Sequence, residues 1–369
     1  MLPAVTMFRT SLAAAAFAVL ASFVLASFVP APALAQAPVA GVPDVQNERT
    51  NEAMKRAAAY LLSVQDPKTG AISSNGRETT MTALSILALS ALGHQPSDPS
   101  PEGQAMKRAL DYVLSPGRQE PDGYFGTADN SRMYGHGIIT LMLAEMLGMG
   151  ADDKQDTLIR EKCRKAIDLI LRSQRRPKDA TFAGGWRYKP DANDSDMSIT
   201  CWQTMALRAA KNAGMDVPKE SIDLAVRYIK KLYNPGDGKF GSGGFGYSSP
   251  GHEISTTAEG LLALQVCGDY EGEEVKNAAE RLMRTGLKSS DRWFHYTAYY
   301  YAQGMYQRGD KYAAEGKRVI AEVLLPVQNA DGSWRGKTSE ERDAGPIYAT
   351  CLSVLAIAVK NHYLPIYQR

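Results

Sequence analysis

The fold is decided within residues 184–207, which read Gly-Gly-Trp-Arg-Tyr-Lys-Pro-Asp-Ala-Asn-Asp-Ser-Asp-Met-Ser-Ile-Thr-Cys-Trp-Gln-Thr-Met-Ala-Leu. The stretch contains a glycine–aromatic corner, an acidic loop and a helix with very little polar surface. A helix that is apolar on most of its sides has to be surrounded by other helices. Because free N–H groups and the positive end of the dipole lie at a helix N-terminus, the acidic loop predicts a negatively charged rim beside a buried helix.

Weaker copies of this arrangement recur along the chain. An amphipathic helical pattern, with apolar residues at positions i, i+3, i+4, i+7 and i+8, begins at Met54, Met106, Cys163 and Val275, and in looser form at Ile222 and Gly316. Successive starts are roughly 40 to 60 residues apart, and a period of this size indicates an array of supersecondary units.

Each amphipathic helix is followed by a turn and then by a second helix that is apolar on nearly all sides. These second helices are predicted at residues 81–92, 138–147, 199–210, 257–266, 296–305 and 348–359. One-sided helices belong on the outside of a fold and uniformly apolar helices on the inside. No polar capping repeat is visible at either end, which favours closure of the hairpins into a ring over an open solenoid.

The turns carry glycine and aromatic residues in a pattern that resembles a known family. Gln174 precedes Gly185-Trp186, and Gln328 precedes Asp331-Gly332-Ser333-Trp334. These segments resemble the Gln-Trp repeats of the squalene-cyclase and protein-prenyltransferase superfamily, and the resemblance covers essentially the whole mature chain. It implies an all-α fold, an α6/α6 toroid in which six outer helices enclose six inner helices around a central cavity.

The N-terminus has the features of a secretory signal peptide. Arg9 precedes a long apolar run at residues 12–29, and Ala33-Leu34-Ala35 forms a small-residue cleavage site before Gln36. A retained anchor is the alternative, because the run is nearly long enough to span a bilayer. We therefore predict a signal peptide at 1–35, a linker at 36–50, a toroid domain at 51–369, and export to the periplasm or out of the cell.

The composition excludes several classes of partner. The 42 basic and 40 acidic residues give a formal net charge of +2, and their even spread predicts neither nucleic-acid binding nor strong membrane binding after signal removal. The sequence identifies no protein partner. The four cysteines are Cys163, Cys201, Cys267 and Cys351. Their spacing fits no metal motif, so we expect buried free thiols and neither a metal nor another cofactor.

Carboxylates occupy equivalent rim positions in three repeats, at Glu78, Asp196 and Glu253. One interpretation is ordinary capping, because acids are favoured in the first turn of any helix. The other is catalytic: adjacent repeats would bring Asp194 and Asp196 near His252 and Glu253. Carboxylates crowded into a site of low dielectric cannot all ionise, so one of them would hold a proton and act as an acid.

Further polar and aromatic residues fall on or near the same rim. Those predicted to line the cavity, together with Glu78, are His136, Trp202, Glu259, His295, Tyr296, Tyr299 and Tyr348. Thr256-x-x-Glu259 also matches a capping box at a helix start.

The sequence leaves three functions open. Asp194-Ser195-Asp196 resembles the acidic motif of class II terpene cyclases, which implies that Asp196 is a proton donor with Asp194 as its partner in an exported cyclase-like isomerase holding an apolar polyprenoid ligand. A non-catalytic binding or scaffold toroid is the second possibility. The third is a periplasmic glycan-processing enzyme of the α6/α6 type, with rim carboxylates as acid and base and aromatic rings that stack on sugars.

Overall fold

The computed structural model describes residues 45–73, 75–361 and 363–367. The predicted signal peptide and residues 36–44 of the predicted linker lie outside this range. Helix α1 begins at Val45, so residues 45–50, which the sequence assigns to the linker, are helical. None of the helices in the described part is long and apolar enough to cross a membrane.

Helices alternate between an outer and an inner layer. The outer helices are α1 (Val45–Ser63), α3 (Pro101–Leu114), α5 (Asp153–Gln174), α7 (Lys219–Lys231), α9 (Glu273–Thr285) and α11 (Asp310–Leu324). The inner helices are α2 (Glu78–Ala91), α4 (Arg132–Glu145), α6 (Met197–Asn212), α8 (Ile254–Val266), α10 (Phe294–Arg308) and α13 (Pro346–Ile357). Short elements complete the described chain: the strands β1 (Tyr233–Asn234) and β2 (Gly244–Phe245), helix α12 (Ser339–Ala344), and 3-10 turns at Leu325–Val327, Ala358–Asn361 and Pro365–Tyr367.

The inner helices form a closed ring. Each packs on the inner helix before it and on the one after it, and α13 packs on α2. The predicted α6/α6 toroid is therefore confirmed, and the predicted amphipathic and apolar helices fall in the outer and inner layers respectively. Because every inner helix follows an outer helix that runs the other way, the N-termini of all inner helices meet at one end, which we call the mouth.

Four glutamines tie the outer helices together. The Nε2 group of Gln174 donates to the carbonyl oxygens of Gly184, in its own turn, and of Ser221, at the start of the next outer helix, both at 2.8 Å. Gln65 and Gln119 make the same pair of bonds in the first two repeats. Gln328 bonds to Gly332 and to Ala53 of α1, so the last repeat is joined to the first. We call these four arrangements the glutamine clamps.

The glycine of each clamp is required by its backbone and by its neighbour. Gly184 has a φ of +101°, and a Cβ atom there would clash with the carbonyl oxygen of Leu224 in α7. The equivalent glycines, also at positive φ and also against a carbonyl of the next outer helix, are Gly70, Gly123 and Gly332. Only glycine can occupy, without strain, a position where two backbones approach each other this closely.

The interior of the ring is filled with aromatic side chains. The Trp202 ring stacks on Tyr299 with a centroid distance of 5.7 Å, and Tyr300 meets Trp202 edge-on at 5.8 Å. All three side chains are at most 1% exposed. Trp202 and Tyr299, predicted to line a cavity, thus pack against each other. The four cysteines are free thiols, of which only Cys267 is partly exposed.

Candidate active site at the mouth

Asp196 is the N-cap residue of α6. Its Oδ1 accepts a hydrogen bond from the Ile199 N–H at 2.8 Å, and its Oδ2 accepts one from Arg187 Nη1 at 2.9 Å. The side chain is fully buried. Burial raises the pKa of the Asp196 carboxyl to about 6, although the Ile199 N–H and the Arg187 cation both oppose this shift. Asp196 is therefore an ion-paired acid that titrates close to neutral pH.

Arg187 links the acidic loop to two aromatic rings. Its Nε lies 3.2 Å from Asp194 Oδ2, and its guanidinium lies 4.7 Å from the centre of the Tyr188 ring and 5.4 Å from that of Tyr247. The hydroxyl groups of Tyr188 and Tyr247 are hydrogen-bonded to each other. The two acids of the predicted motif are thus brought together, by an arginine that no sequence motif indicates.

His252 and Glu253 do not join this group, which corrects the predicted relation between neighbouring repeats. Both side chains are exposed at the start of α8. Glu253 Oε2 lies 3.4 Å from the hydroxyl of Thr256. The residue of the fourth repeat that reaches the acidic loop is Tyr247, whose carbonyl accepts the Met197 N–H at 2.8 Å. Tyr247 lies in the loop before α8, which begins at Ile254, so the fourth repeat meets the acidic loop through a residue earlier in the chain than the predicted His252 and Glu253.

Glu259 is a second buried carboxyl, located on α8. Its Oε1 accepts a hydrogen bond from the Ser198 hydroxyl at 3.2 Å, and its Oε2 has no hydrogen-bond partner within the described structure. Burial raises the pKa of Glu259 well above its usual range, and the charge of Asp196 adds to the rise. The capping-box interpretation is wrong, because the Thr256 hydroxyl donates to the Phe245 carbonyl and Glu259 faces the inside of the ring.

Three more buried polar atoms, on the inner helices α6 and α10 that pack on α8, lack hydrogen-bond partners among the described residues: Trp202 Nε1, Tyr296 Oη and Tyr300 Oη. Tyr296 and Tyr300 meet edge-on with ring centres 4.9 Å apart, and the charge of Glu259 raises the pKa of both hydroxyls in addition to burial. A buried polar atom without a partner costs free energy. Together with Glu259 Oε2, these atoms are polar groups that the packing of the interior leaves without a hydrogen bond in the described structure.

Partly exposed tyrosines surround the two carboxyls at the mouth. Burial raises the pKa of the Tyr134 hydroxyl well above its usual value, and the charges of Asp196 and Glu259 add to this effect, so its hydroxyl lies within electrostatic reach of both acids. The pKa of Tyr348, on α13, is raised by burial and then by Glu341 and Glu259. With Tyr188 and Tyr247, these residues form what we call the tyrosine rim.

The two histidines that were predicted to line the cavity have structural roles. His136 Nδ1 accepts the Phe125 N–H at 3.3 Å, so Nε2 carries the proton and donates to the Ala166 carbonyl at 3.2 Å. His295 Nε2 donates to the Arg335 carbonyl at 3.4 Å, while Nδ1 accepts from the Ser353 hydroxyl at 2.9 Å. Burial lowers the pKa of each ring to about 4. Both imidazoles are neutral with both nitrogens occupied, so neither lines a cavity as predicted.

The remaining rim acids serve as caps or face solvent. Glu78 is exposed and accepts the Tyr112 hydroxyl at 2.7 Å. Asp129, which precedes α4, accepts the Thr80 N–H and so caps α2 from the next repeat. Glu341 caps α10 in the same way, because its Oε1 accepts a hydrogen bond from the backbone N–H of His295 at 2.8 Å. Sequence reasoning missed the last two, and the only local signal for them is an acid shortly before the following helix.

No group of three or more His, Cys, Asp or Glu side chains in the described ranges is arranged to hold a metal ion. A groove of about 910 Å³ on the outer wall, between α5 and the turn after α6, is lined by charged residues of both signs. It lies away from the mouth, and it contains none of the buried carboxyls discussed above.

Comparison with known proteins identifies carbohydrate-active enzymes of the same fold. A cellobiose 2-epimerase from Bacillus thermoamylovorans superposes with a TM-score of 0.60 at 12% identity, over 85% of this chain and all of that one. An α-1,6-mannanase from a Salegentibacter species, solved as an inactive variant with α-1,6-mannotriose, gives 0.58 at 11% identity over 84% of this chain and 99% of its own. A glycosidase variant gives 0.55 at 14% identity, over 88% of this chain and all of that one. No family model and no curated protein matches the sequence.

These matches overturn the assignment to the squalene-cyclase and prenyltransferase superfamily. The glutamine clamps explain why the sequence suggested it. Each Gln–Gly–aromatic turn exists because a hairpin must be joined to the next outer helix at close range. That requirement comes from packing helical hairpins into a ring, and it does not depend on the function of the protein.

Proposed function

We propose that this chain is a glycan-processing enzyme of the α6/α6 type, with Asp196 and Glu259 as its catalytic pair. The observation that carries the proposal is the contrast between the two buried carboxyls: Asp196 is paired with Arg187, whereas Glu259 has a free oxygen and no cation. Two titratable groups whose surroundings push their pKa values apart are suited to opposite roles in acid–base catalysis. The fold that the chain shares with a mannanase and an epimerase supports the same class of substrate.

In the proposed reaction Glu259 is the general acid and Asp196 the general base. Glu259, whose pKa is raised well above its usual range by burial, donates its proton to the glycosidic oxygen as the bond from that oxygen to the sugar breaks. Asp196, ionised above pH 6, takes a proton from the water that forms the new bond to the sugar carbon. Because both oxygens of Asp196 already accept hydrogen bonds, it suits the activation of water better than direct attack.

The surroundings of the pair favour a hydroxyl-rich ligand over the polyprenoid suggested by the sequence. An apolar ligand would leave Glu259 Oε2 and the Tyr296 hydroxyl buried without partners, which is unfavourable. A sugar supplies hydroxyl groups to these atoms and an apolar ring face to the tyrosine rim. Export remains a prediction that rests on residues 1–35.

The test is turnover of neutral oligosaccharides by the wild-type protein and by Asp196→Asn. Asparagine keeps the N-cap hydrogen bond but cannot act as a base, so we expect kcat to fall by about 10²–10⁴-fold. Glu253→Gln, at an exposed position one repeat away, is the control and should retain full activity. The substrates are α- and β-linked gluco- and manno-oligosaccharides, including α-1,6-linked mannose and cellobiose, with products resolved by chromatography and mass spectrometry. Binding of a sugar with no turnover by the wild type would favour a non-catalytic binding toroid.

A further inference from the structure

The ring has a seam where its last outer helix, α11, comes round to its first, α1. Both helices pack on the inner helix α13. A groove of about 230 Å³ is lined by residues of both and by α10 and α13. Its lining is mostly apolar and includes Ala302 of α10, Ile320 of α11 and Ile357 of α13. We call it the seam groove.

The seam groove is open because little chain covers it. It lies opposite the mouth, at the C-terminal ends of α10 and α13. Connections from inner to outer helices cross this end of the ring, and four of them are made by residues 92–100, 146–152, 213–218 and 267–272. Gly309 alone joins α10 to α11, and its φ of +81° permits so sharp a reversal. Tyr306 is therefore left partly exposed and Ala314 exposed.

Two lysines line the seam groove. Lys317, on α11, is exposed, and Lys360, after α13, is partly exposed. Lys360 Nζ donates to Asn47 Oδ1 at 3.0 Å and to the Thr50 hydroxyl at 3.4 Å, so its ammonium is held beside the first turns of α1. No Asp or Glu is among the described residues that line the groove. A complementary ligand therefore combines an apolar body with a negative charge.

The dimensions of the seam groove suit one aliphatic chain. Its volume of about 230 Å³ exceeds the roughly 150 Å³ of a cavity that holds benzene, and is below the roughly 300–1,000 Å³ of pockets for drug-sized ligands. The wall that α11 provides runs from Ala313 to Ala321, about 12 Å along the helix axis. A narrow apolar trough of this length has room for a single chain of methylene groups.

We propose that the seam groove binds a single-chain amphiphile with an anionic head, of the fatty-acid class. The aliphatic chain lies along α11, and the carboxylate lies beside Lys317 and Lys360. The inference does not depend on the function proposed for the mouth, because the groove shares no residue with that site.

The probes are straight-chain carboxylates from butanoate to dodecanoate, each titrated into the protein by calorimetry below its micelle concentration. We expect one saturable site. Affinity should rise by up to about fourfold for each added methylene, and it should level off once the chain is longer than the groove. Decyltrimethylammonium has an apolar chain of similar length and a cationic head, and it should bind at least about tenfold more weakly than decanoate.

Two pairs of variants locate the site. Ala314→Trp fills the groove from an exposed helical position and should weaken decanoate binding at least about tenfold. Ala59→Trp, exposed on α1 and outside the groove, is the matched control and should bind as wild type does. Lys317→Gln should weaken binding by about two- to fivefold, whereas Lys55→Gln, also exposed on α1, should leave it unchanged.

Equal decanoate affinity in Ala314→Trp and Ala59→Trp, with both variants folded by circular dichroism, would put the ligand elsewhere and overturn the proposal. Binding of the cationic amphiphile as tightly as decanoate would overturn the anionic head. Absence of saturable binding by every carboxylate in the series would overturn the ligand class. If the wild type sediments as a dimer and Ala314→Trp as a monomer, a second copy of the chain occupies the groove and the proposal is wrong.

Discussion

At the outer wall, the side-chain nitrogen of each clamp glutamine holds two backbones together; at the mouth, a carboxyl oxygen of Glu259 has no hydrogen-bond partner within the described residues. Gln65 donates twice through Nε2 and accepts from Arg108 through Oε1 at 2.7 Å. Glu259 has one bond to Ser198 and a second oxygen without a partner in the described structure. The clamps occur in four repeats, whereas the Asp196–Arg187 pair and Glu259 occur once each. Residues that recur with the repeat build the ring, and the buried acids that occur once are the candidates for chemistry.

Removing the carboxyl of Glu259 gives the largest expected effect and separates the two regions most clearly. Glu259→Gln keeps the shape and the bond from Ser198 but cannot donate a proton to a leaving group, so we expect kcat to fall by about 10²–10⁴-fold. Stability should be unchanged or increased, because a buried ionisable group is removed. The measurements are turnover and urea unfolding of the same preparations. If Glu259→Gln unfolds at a much lower urea concentration than wild type, Glu259 has a structural role.

Much of the ring is predictable from the sequence, because its helices have distinct periodicities. The outer helices are apolar along one stripe and the inner helices are apolar on nearly all sides, and both patterns are local. Gln174 and Gln328 are visible beside Gly-Trp turns. Gln65 and Gln119 form the same clamps but escape recognition, since their turns carry Ile72 and Phe125 in place of tryptophan.

The site is only partly predictable, because its bonds join distant parts of the chain. Asp194 and Asp196 stand out as a local motif, but Arg187 lies in a turn whose direction the sequence does not give. Glu259 matches a capping box, and nothing local indicates that its carboxyl reaches Ser198 on another helix. The prediction of His136 as a cavity residue is wrong because its two backbone partners are 11 and 30 residues away, beyond the reach of any local pattern.

A methyl group placed in a clamp should have the next largest effect, on stability alone. Gly184→Ala adds a Cβ against the Leu224 carbonyl at a positive φ, and we expect a loss of about 3 kcal/mol in the free energy of unfolding. Gly214→Ala is the matched control, since Gly214 also has a positive φ but a Cβ at that position would meet no other group within 4 Å; it should lose about 1 kcal/mol. If the two variants lose the same free energy of unfolding in urea titrations, the close approach of Gly184 to α7 contributes nothing to stability.

Loss of the clamp hydrogen bonds should cost somewhat less. Gln174→Leu leaves the carbonyls of Gly184 and Ser221 without their shared donor, so we expect the free energy of unfolding to fall by about 1–3 kcal/mol. Gln104→Leu, at an exposed position on α3, should change it by less than about 0.5 kcal/mol. Turnover at a temperature where both variants are folded should equal that of wild type. A loss of turnover in folded Gln174→Leu would show that the clamps and the mouth are not independent.

The smallest effect should appear in the pH dependence of the mouth. The pKa of Asp196 is raised to about 6, chiefly by burial, so kcat/KM should rise as pH increases through 6 and the base ionises. Stability should change in the opposite sense. A carboxyl whose folded pKa exceeds its unfolded value binds more protons when folded, so its contribution to the free energy of unfolding is complete below about pH 4 and is lost as pH rises through 6.

The Tyr247 hydroxyl lowers the pKa of Asp196 by hydrogen bonding. Tyr247→Phe should therefore move the acid limb of the kcat/KM profile to higher pH, whereas Tyr124→Phe should leave it in place. An acid limb that stays at the wild-type position in Tyr247→Phe, or that persists unchanged in any residual activity of Asp196→Asn, would assign that ionisation to another group.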